Sequence, residues 1–160
     1  MLALRRNTFT GSDLCRQVPN AKTLPFATAP IAMVNILVID DDQDFRDWIA
    51  WILRQRGDRV IATSSLSSME PPSDETELCA AFDVAIVDMI MPEMDGIETI
   101  RMLKALCPTT KIVAMSGGGQ HGDTRFYLHV AERFGAVAGL TKPFMASDLS
   151  SAVVRALSST

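Results

Sequence analysis

Four short apolar runs punctuate the chain, and each gives way to polar or turn-forming residues. Residues 34–39 stop at Asp40-Asp41-Asp42, and residues 84–87 stop at Asp88. Residues 111–115 stop at Ser116-Gly117-Gly118-Gly119, and residues 136–140 at Thr141-Lys142-Pro143. Such runs, bounded by turn signals and lacking polar alternation, predict strands covered on both faces, the mark of a parallel sheet. Arg59–Thr63 is a further strand candidate.

Between the strands the period becomes helical. Phe45, Trp48, Ile49, Ile52 and Leu53 stand at i, i+3, i+4, i+7 and i+8, with Gly57 placed as a C-cap. Trp51 lies off that stripe, and its ring is expected to fold over the helix edge. Asp95 or Met94 opens the next helix, with Ile97, Ile100 and Leu103 inward and Pro108 as its stop. Another spans 123–134, with Tyr127, Val130, Ala131 and Phe134 on one side and Gly135 as its cap. In the last, Ser147 and Asp148 supply N-cap chemistry, and Leu149, Ala152, Val153, Ala156 and Leu157 form the apolar face. Residues 64–81 are less regular. Pro71-Pro72 removes amide donors and pushes Glu70 out of helical geometry, so only a short helix over 74–81 is expected there.

In an open parallel α/β sheet the strand C-termini share one edge, and ligands bind along it. The acids at Asp40, Asp41 and Asp88, the hydroxyl of Ser116 and the ammonium of Lys142 therefore converge. A carboxylate such as Asp88 is costly to bury unpaired, so it needs a cation or donor near it. Asp42 and Asp44 read as a solvated helix start that favours the N-terminal dipole. Gly117-Gly118-Gly119 lacks the Gly-Lys-Ser/Thr ending of a phosphate loop and reads instead as freedom for a moving loop. His121 and His129 have no partner at metal-ligand spacing and read as surface residues.

Asp40-Asp41, Asp88 with Met91-Pro92 and Asp95-Gly96 behind it, Ser116, and Lys142-Pro143-Phe144 share the order and spacing of one family. From residue 34 to about residue 157 the chain resembles a response-regulator receiver domain, the phosphorylatable half of two-component signalling. With the alternation of strands and helices, this implies a flavodoxin-like α/β fold, a doubly wound five-stranded parallel sheet of order 2-1-3-4-5. It implies that Asp88 is the phosphoacceptor, since a carboxylate can attack phosphorus to give an aspartyl phosphate. Mg²⁺, with Mn²⁺ able to substitute, would neutralise the phosphoryl oxygens. Asp41, Asp88 and the backbone carbonyl of Ile90 are the direct ligands expected, and Asp40 acts through a metal-bound water. Lys142 supplies a point charge for a phosphate oxygen, aimed inward by a cis Pro143. Ser116 donates its hydroxyl and moves toward the phosphoryl group as the switch.

The resemblance also implies partners. A sensor histidine kinase or histidine phosphotransfer protein delivers the phosphoryl group, and a downstream protein reads the result. The domain is expected to be an acceptor, not an enzyme, with at most slow self-dephosphorylation. Two departures stand out. Gly139, three residues before Lys142, replaces the Tyr or Phe with which the family reports phosphorylation. Ser158-Ser159-Thr160 follow closely on the last helix, so a stand-alone receiver that signals by docking, without an output domain, is expected.

Composition narrows the function classes further. At 160 residues the chain is one domain with a real core, and no apolar stretch reaches membrane-spanning length. Cys15, Cys79 and Cys107 are odd in number and lack CxxC spacing, so neither a disulfide framework nor a zinc site is favoured, and a cytoplasmic location fits. The net charge is −4, and residues 1–33 carry Arg5, Arg6, Arg16 and Lys22 against Asp13. The remaining body is therefore more acidic still, which argues against direct binding of nucleic acid. Residues 1–33 show no periodic face and no signal-peptide core. They are expected to form a disordered extension ahead of a receiver domain over 34–160, with Met33 as an alternative start.

Two other readings compete. A degenerate receiver would dock partners without phosphorylation, yet such a scaffold gains nothing from keeping Asp40, Asp41, Asp88, Ser116 and Lys142. A phosphatase of the haloacid dehalogenase type would need Thr or Val where Asp44 stands, and would leave Asp95-Gly96 and Lys142-Pro143-Phe144 unexplained.

Overall fold

The computed structural model describes residues 33–69, 81–92, 95–117 and 124–159. In chain order it contains β1 (Asn35–Ile39), α1 (Gln43–Gln55), β2 (Arg59–Thr63), a 3-10 turn at Leu66–Ser68 and β3 (Val84–Asp88). There follow α2 (Gly96–Leu106), β4 (Lys111–Gly117), α3 (Thr124–Arg133), β5 (Ala136–Lys142) and α4 (Ala146–Ser158). All strand pairings are parallel, and the order across the sheet is β2-β1-β3-β4-β5. This is the doubly wound, flavodoxin-like α/β arrangement the sequence pattern and the family resemblance imply.

Every residue of β3 is buried, as is nearly all of β1 and β4. Helices on both faces leave these strands no solvent side, which is why their sequence carries no alternation. At the sheet edge β5 does alternate, burying Ala136, Ala138 and Leu140 and exposing Val137 and Thr141. A register shift opposite Ile112 and Val113 lets Val137 drop out of the pairing.

Helix α1 buries Phe45, Ile49, Ile52 and Leu53, capped by Asp42, whose carboxylate accepts from the Phe45 N–H, and closed by Gly57 at φ +100°. Trp51 is 39% exposed, so its ring is not taken into the core. In α2, Asp95 is the N-cap, and Thr99, Ile100 and Leu103 are buried while Ile97 is half-buried.

Two expected helix faces need correction. On α3 the inward side is Tyr127, Leu128 and Ala131; Phe134 follows the helix and is exposed. Leu128 faces in because Gly139 on β5 leaves room for it: a Cβ there would stand 3.3 Å from the Leu128 Cδ2. On α4 the buried face is Leu149, Ala152, Val153 and Ala156 while Leu157 is exposed; the N-cap is Met145, and Ser147 lies inside the first turn. Asp148 keeps a capping role by accepting the Met145 N–H at 2.9 Å. The extension 1–33, the helix over 74–81, His121 and Gly118-Gly119 fall, but for Met33 and Ala81, outside the described residues.

Candidate functional site

The C-terminal ends of β1, β3, β4 and β5 deliver Asp40, Asp88, Ser116 and Lys142 to one edge of the sheet. Lys142 Nζ donates to Asp40 Oδ2 and to Asp88 Oδ2, each at 2.7 Å. The remaining oxygens are also engaged: Asp40 Oδ1 accepts the Asp42 N–H at 2.9 Å, and Asp88 Oδ1 accepts the Ile90 N–H at 3.2 Å. Arg46 donates to the Asp40 backbone carbonyl and so ties the first turn of α1 to the end of β1. The Lys142–Pro143 peptide is cis, as the resemblance implies.

Gly96 explains why Asp95-Gly96 follows Asp88 at this spacing. A Cβ at Gly96 would lie 2.5 Å from the Met89 Cα and closer still to the Asp88 carbonyl oxygen. Only glycine lets α2 start against the end of β3.

Burial pushes the Asp40 carboxyl up to about 6, against the opposing pull of Lys142. Burial raises Asp88 in the same way. For Lys142, burial opposes the charge, but the attraction of Asp88 and Asp40 together outweighs it and holds the ammonium above its ordinary range. One ammonium thus serves two carboxylates, and a third, Asp41, stands exposed beside them. The carboxylate oxygens of Asp40, Asp41 and Asp88 lie within 4.8 Å of one another. Such an all-oxygen, excess-anionic donor set fits a hard divalent cation such as Mg²⁺.

Ser116 is fully buried, and its hydroxyl has no hydrogen-bond partner among the described residues. It pairs in register with Thr141, next to the Gly117–Lys142 pair, while Asp88 pairs with Met115. The orphan hydroxyl therefore sits one strand over from Asp88. Asp40, Asp41, Asp88, Ser116, Lys142 and Ile90 are all brought to this edge. His129 lies on the surface beside Glu132. Periodicity missed Arg46, and it placed Phe45 only in the core; no spacing signal marks either as a neighbour of the cluster.

The chain matches the family described as response regulator receiver domain over residues 36–154. It is 29% identical over 124 residues to the chemotaxis protein CheY of Listeria monocytogenes, covering 78% of this chain and 98% of that protein. It is 34% identical to the response regulator protein TmoT of Ectopseudomonas mendocina, over 76% of this chain but 52% of that longer protein. Among solved structures, a response regulator receiver domain protein from Clostridium thermocellum aligns with a TM-score of 0.66 at 32% identity, over 78% of this chain and 94% of that one. A response regulator from Burkholderia pseudomallei, solved with a phosphorylated aspartic acid and a calcium ion, aligns with a TM-score of 0.58 at 25% identity, over 74% and 65% of the two chains. With its acids, hydroxyl and lysine gathered at the strand ends and this family matched along most of its length, the chain belongs to the response-regulator receiver domains of two-component signalling.

Proposed function

We propose that Asp88 accepts a phosphoryl group from a phosphohistidine on a sensor kinase or phosphotransfer protein, with Mg²⁺ bound, and that the phosphorylated form binds a downstream protein differently. The observation that carries this is the shared ammonium: Lys142 Nζ stands 2.7 Å from one oxygen of both Asp40 and Asp88. A charge so placed can follow Asp88 from carboxylate to acyl phosphate by exchanging one oxygen for another. The Burkholderia relative, with its phosphorylated aspartic acid and calcium ion, supports both the nucleophile and the cation.

An Asp88 oxygen forms the new P–O bond as the P–N bond to the donor histidine breaks, and the imidazole nitrogen keeps that electron pair. Asp41, Asp88 and the Ile90 carbonyl would hold Mg²⁺ directly and Asp40 through water. Bound there, Mg²⁺ supplies charge neutralisation at the phosphoryl oxygens. Lys142 holds a phosphoryl oxygen, and the buried Ser116 hydroxyl gains in that group the partner it lacks. The domain turns nothing over beyond its own slow dephosphorylation. Among the described residues no helix is long and apolar enough to cross a membrane, and we assign the activity to the cytoplasm, without nucleic acid as a direct partner.

Incubation with acetyl phosphate and Mg²⁺ should add one phosphoryl group by intact mass, and chelation of the metal should prevent it. Asp88→Asn should take up none. Equal phosphorylation of that variant would overturn the assignment.

A further inference from the structure

Lys142 has a third neighbour that the charge cluster does not explain. Its Nζ lies 4.4 Å from the centroid of the Phe45 ring, where an ammonium is attracted to the negative face of an aromatic ring. Phe45 is held in place. Trp48 stacks on it at 5.4 Å with the rings 28° apart, and Phe144 meets it edge-on at 5.4 Å and 72°. Its backbone is held as well, since its N–H donates to the Asp42 carboxylate at 3.1 Å. Leucine or isoleucine would also satisfy the apolar pattern of the buried stripe of α1, so that pattern alone does not require a ring face at this position.

The chemistry of the site gives that face a use. Both hydrogen-bond partners of Lys142 would be altered on phosphoryl transfer: Asp88 would become an acyl phosphate, and Asp40 would hold Mg²⁺ through water. An ammonium on a flexible four-carbon stem has other places to go. The ring attracts it without occupying any of its three donors, so Lys142 can trade a carboxylate oxygen for a phosphoryl oxygen without leaving. We propose that Phe45, braced by Trp48 and Phe144, is a positioning residue that holds the Lys142 ammonium where it meets the incoming phosphoryl group. The proposal rests on Asp88 as the phosphoacceptor.

The test compares wild type, Phe45→Leu, and protein carrying pentafluorophenylalanine at position 45, which keeps the ring's outline but removes the negative face. Two quantities are measured on each: Mg²⁺ affinity, and the rate of phosphorylation by acetyl phosphate at saturating Mg²⁺. Lys142 is no metal ligand, so Mg²⁺ affinity should stay within about twofold, whereas a merely structural role would disturb both. Phosphorylation should slow about 5- to 30-fold in both variants, equivalent to about 1–2 kcal/mol. In a Lys142→Ala background the Phe45→Leu change should have no further effect on beryllofluoride affinity. Should Phe45→Leu fail to fold, the fluorinated ring still decides. Wild-type rates in the fluorinated protein overturn the positioning role and leave the Asp88 reading standing. Failure of wild type itself to be phosphorylated overturns the Asp88 reading, and the positioning role falls with it.

Discussion

Lys142 reaches Asp40 and Asp88 with one nitrogen, and it cannot fully offset the burial of either. For Asp40 the sign of the consequence is fixed. The unfolded chain releases this proton near 3.8 and the folded, metal-free chain near 6, so folding takes up a proton in that interval. Stability from this group is then lost as pH rises through it and stays lost above it. In EDTA at pH 7, Asp40→Asn should therefore be more stable than wild type, by about 1–3 kcal/mol, and the gap should close below pH 4. Thermal melts showing no gap at pH 7 would refute this. Burial also ranks the acids toward the metal. Asp40 is fully buried and is proposed to reach the ion through water, whereas Asp41 is exposed beside the cluster and is proposed as a direct ligand. Asp41→Ala should consequently weaken Mg²⁺ binding more than Asp40→Ala by calorimetric titration; equal losses would mean that the two share the ion. The convergence of these residues was legible because a short apolar run bounded by turn signals marks a strand covered on both faces, and the polar residue directly after it then falls at the strand end. The part of Phe45 was not legible. A helical stripe tells which side faces inward, not which side chain, here from a residue near the far end of the chain, will lie over it.

At the scale of elements, the apolar runs understate β4 and β5, which continue to Gly117 and Lys142. Backbone pairing needs no apolar side chains, so Ser116–Thr141 and Gly117–Lys142 extend the ladder past the point where the hydrophobic signal stops. Thereby Ser116 and Lys142 sit on paired backbone, a firmer support than the loop their sequence context suggests. The misread face of α3 has a similar cause. Periodicity alone favours Phe134, but the helix ends at Arg133, and Leu128 can turn inward because β5 presents Gly139 to it. Where the family carries an aromatic, this chain has put a leucine from the neighbouring helix. Restoring the aromatic should therefore do harm. A tyrosine would have to displace Leu128, whose Cδ atoms stand 3.3–3.4 Å from where its Cβ would be, and overpacking of this kind costs about 1–3 kcal/mol. Denaturant unfolding should show Gly139→Tyr destabilised and Leu128→Ala restoring part of the loss in the double variant. A neutral Gly139→Tyr would mean that the space is open after all.

Across the whole molecule the site touches several elements, but they are not equally free to respond. Helix α1 is fastened to the end of β1 by the Asp42 cap and by Arg46 on the Asp40 carbonyl. Helix α2 starts against β3 so closely that Gly96 has no room for a side chain. Of the residues gathered at the site, Ser116 brings a buried hydroxyl with no partner among the described residues, and it stands one residue from the end of β4, ahead of a glycine run and α3. A phosphoryl group on Asp88 offers that hydroxyl a hydrogen bond. The contact favours whichever conformers of the following segment allow it, so the population shifts by that difference. With glycine at 139 no large ring can turn inward to carry the change through β5. The signal should therefore leave through residues 116–134. Hydrogen exchange with Mg²⁺, with and without beryllofluoride as a mimic of the aspartyl phosphate, should show new protection there and little change in β2 at the far side of the sheet. Protection confined to 136–140, with 116–134 unchanged, would place the switch in β5 and refute a route through the end of β4.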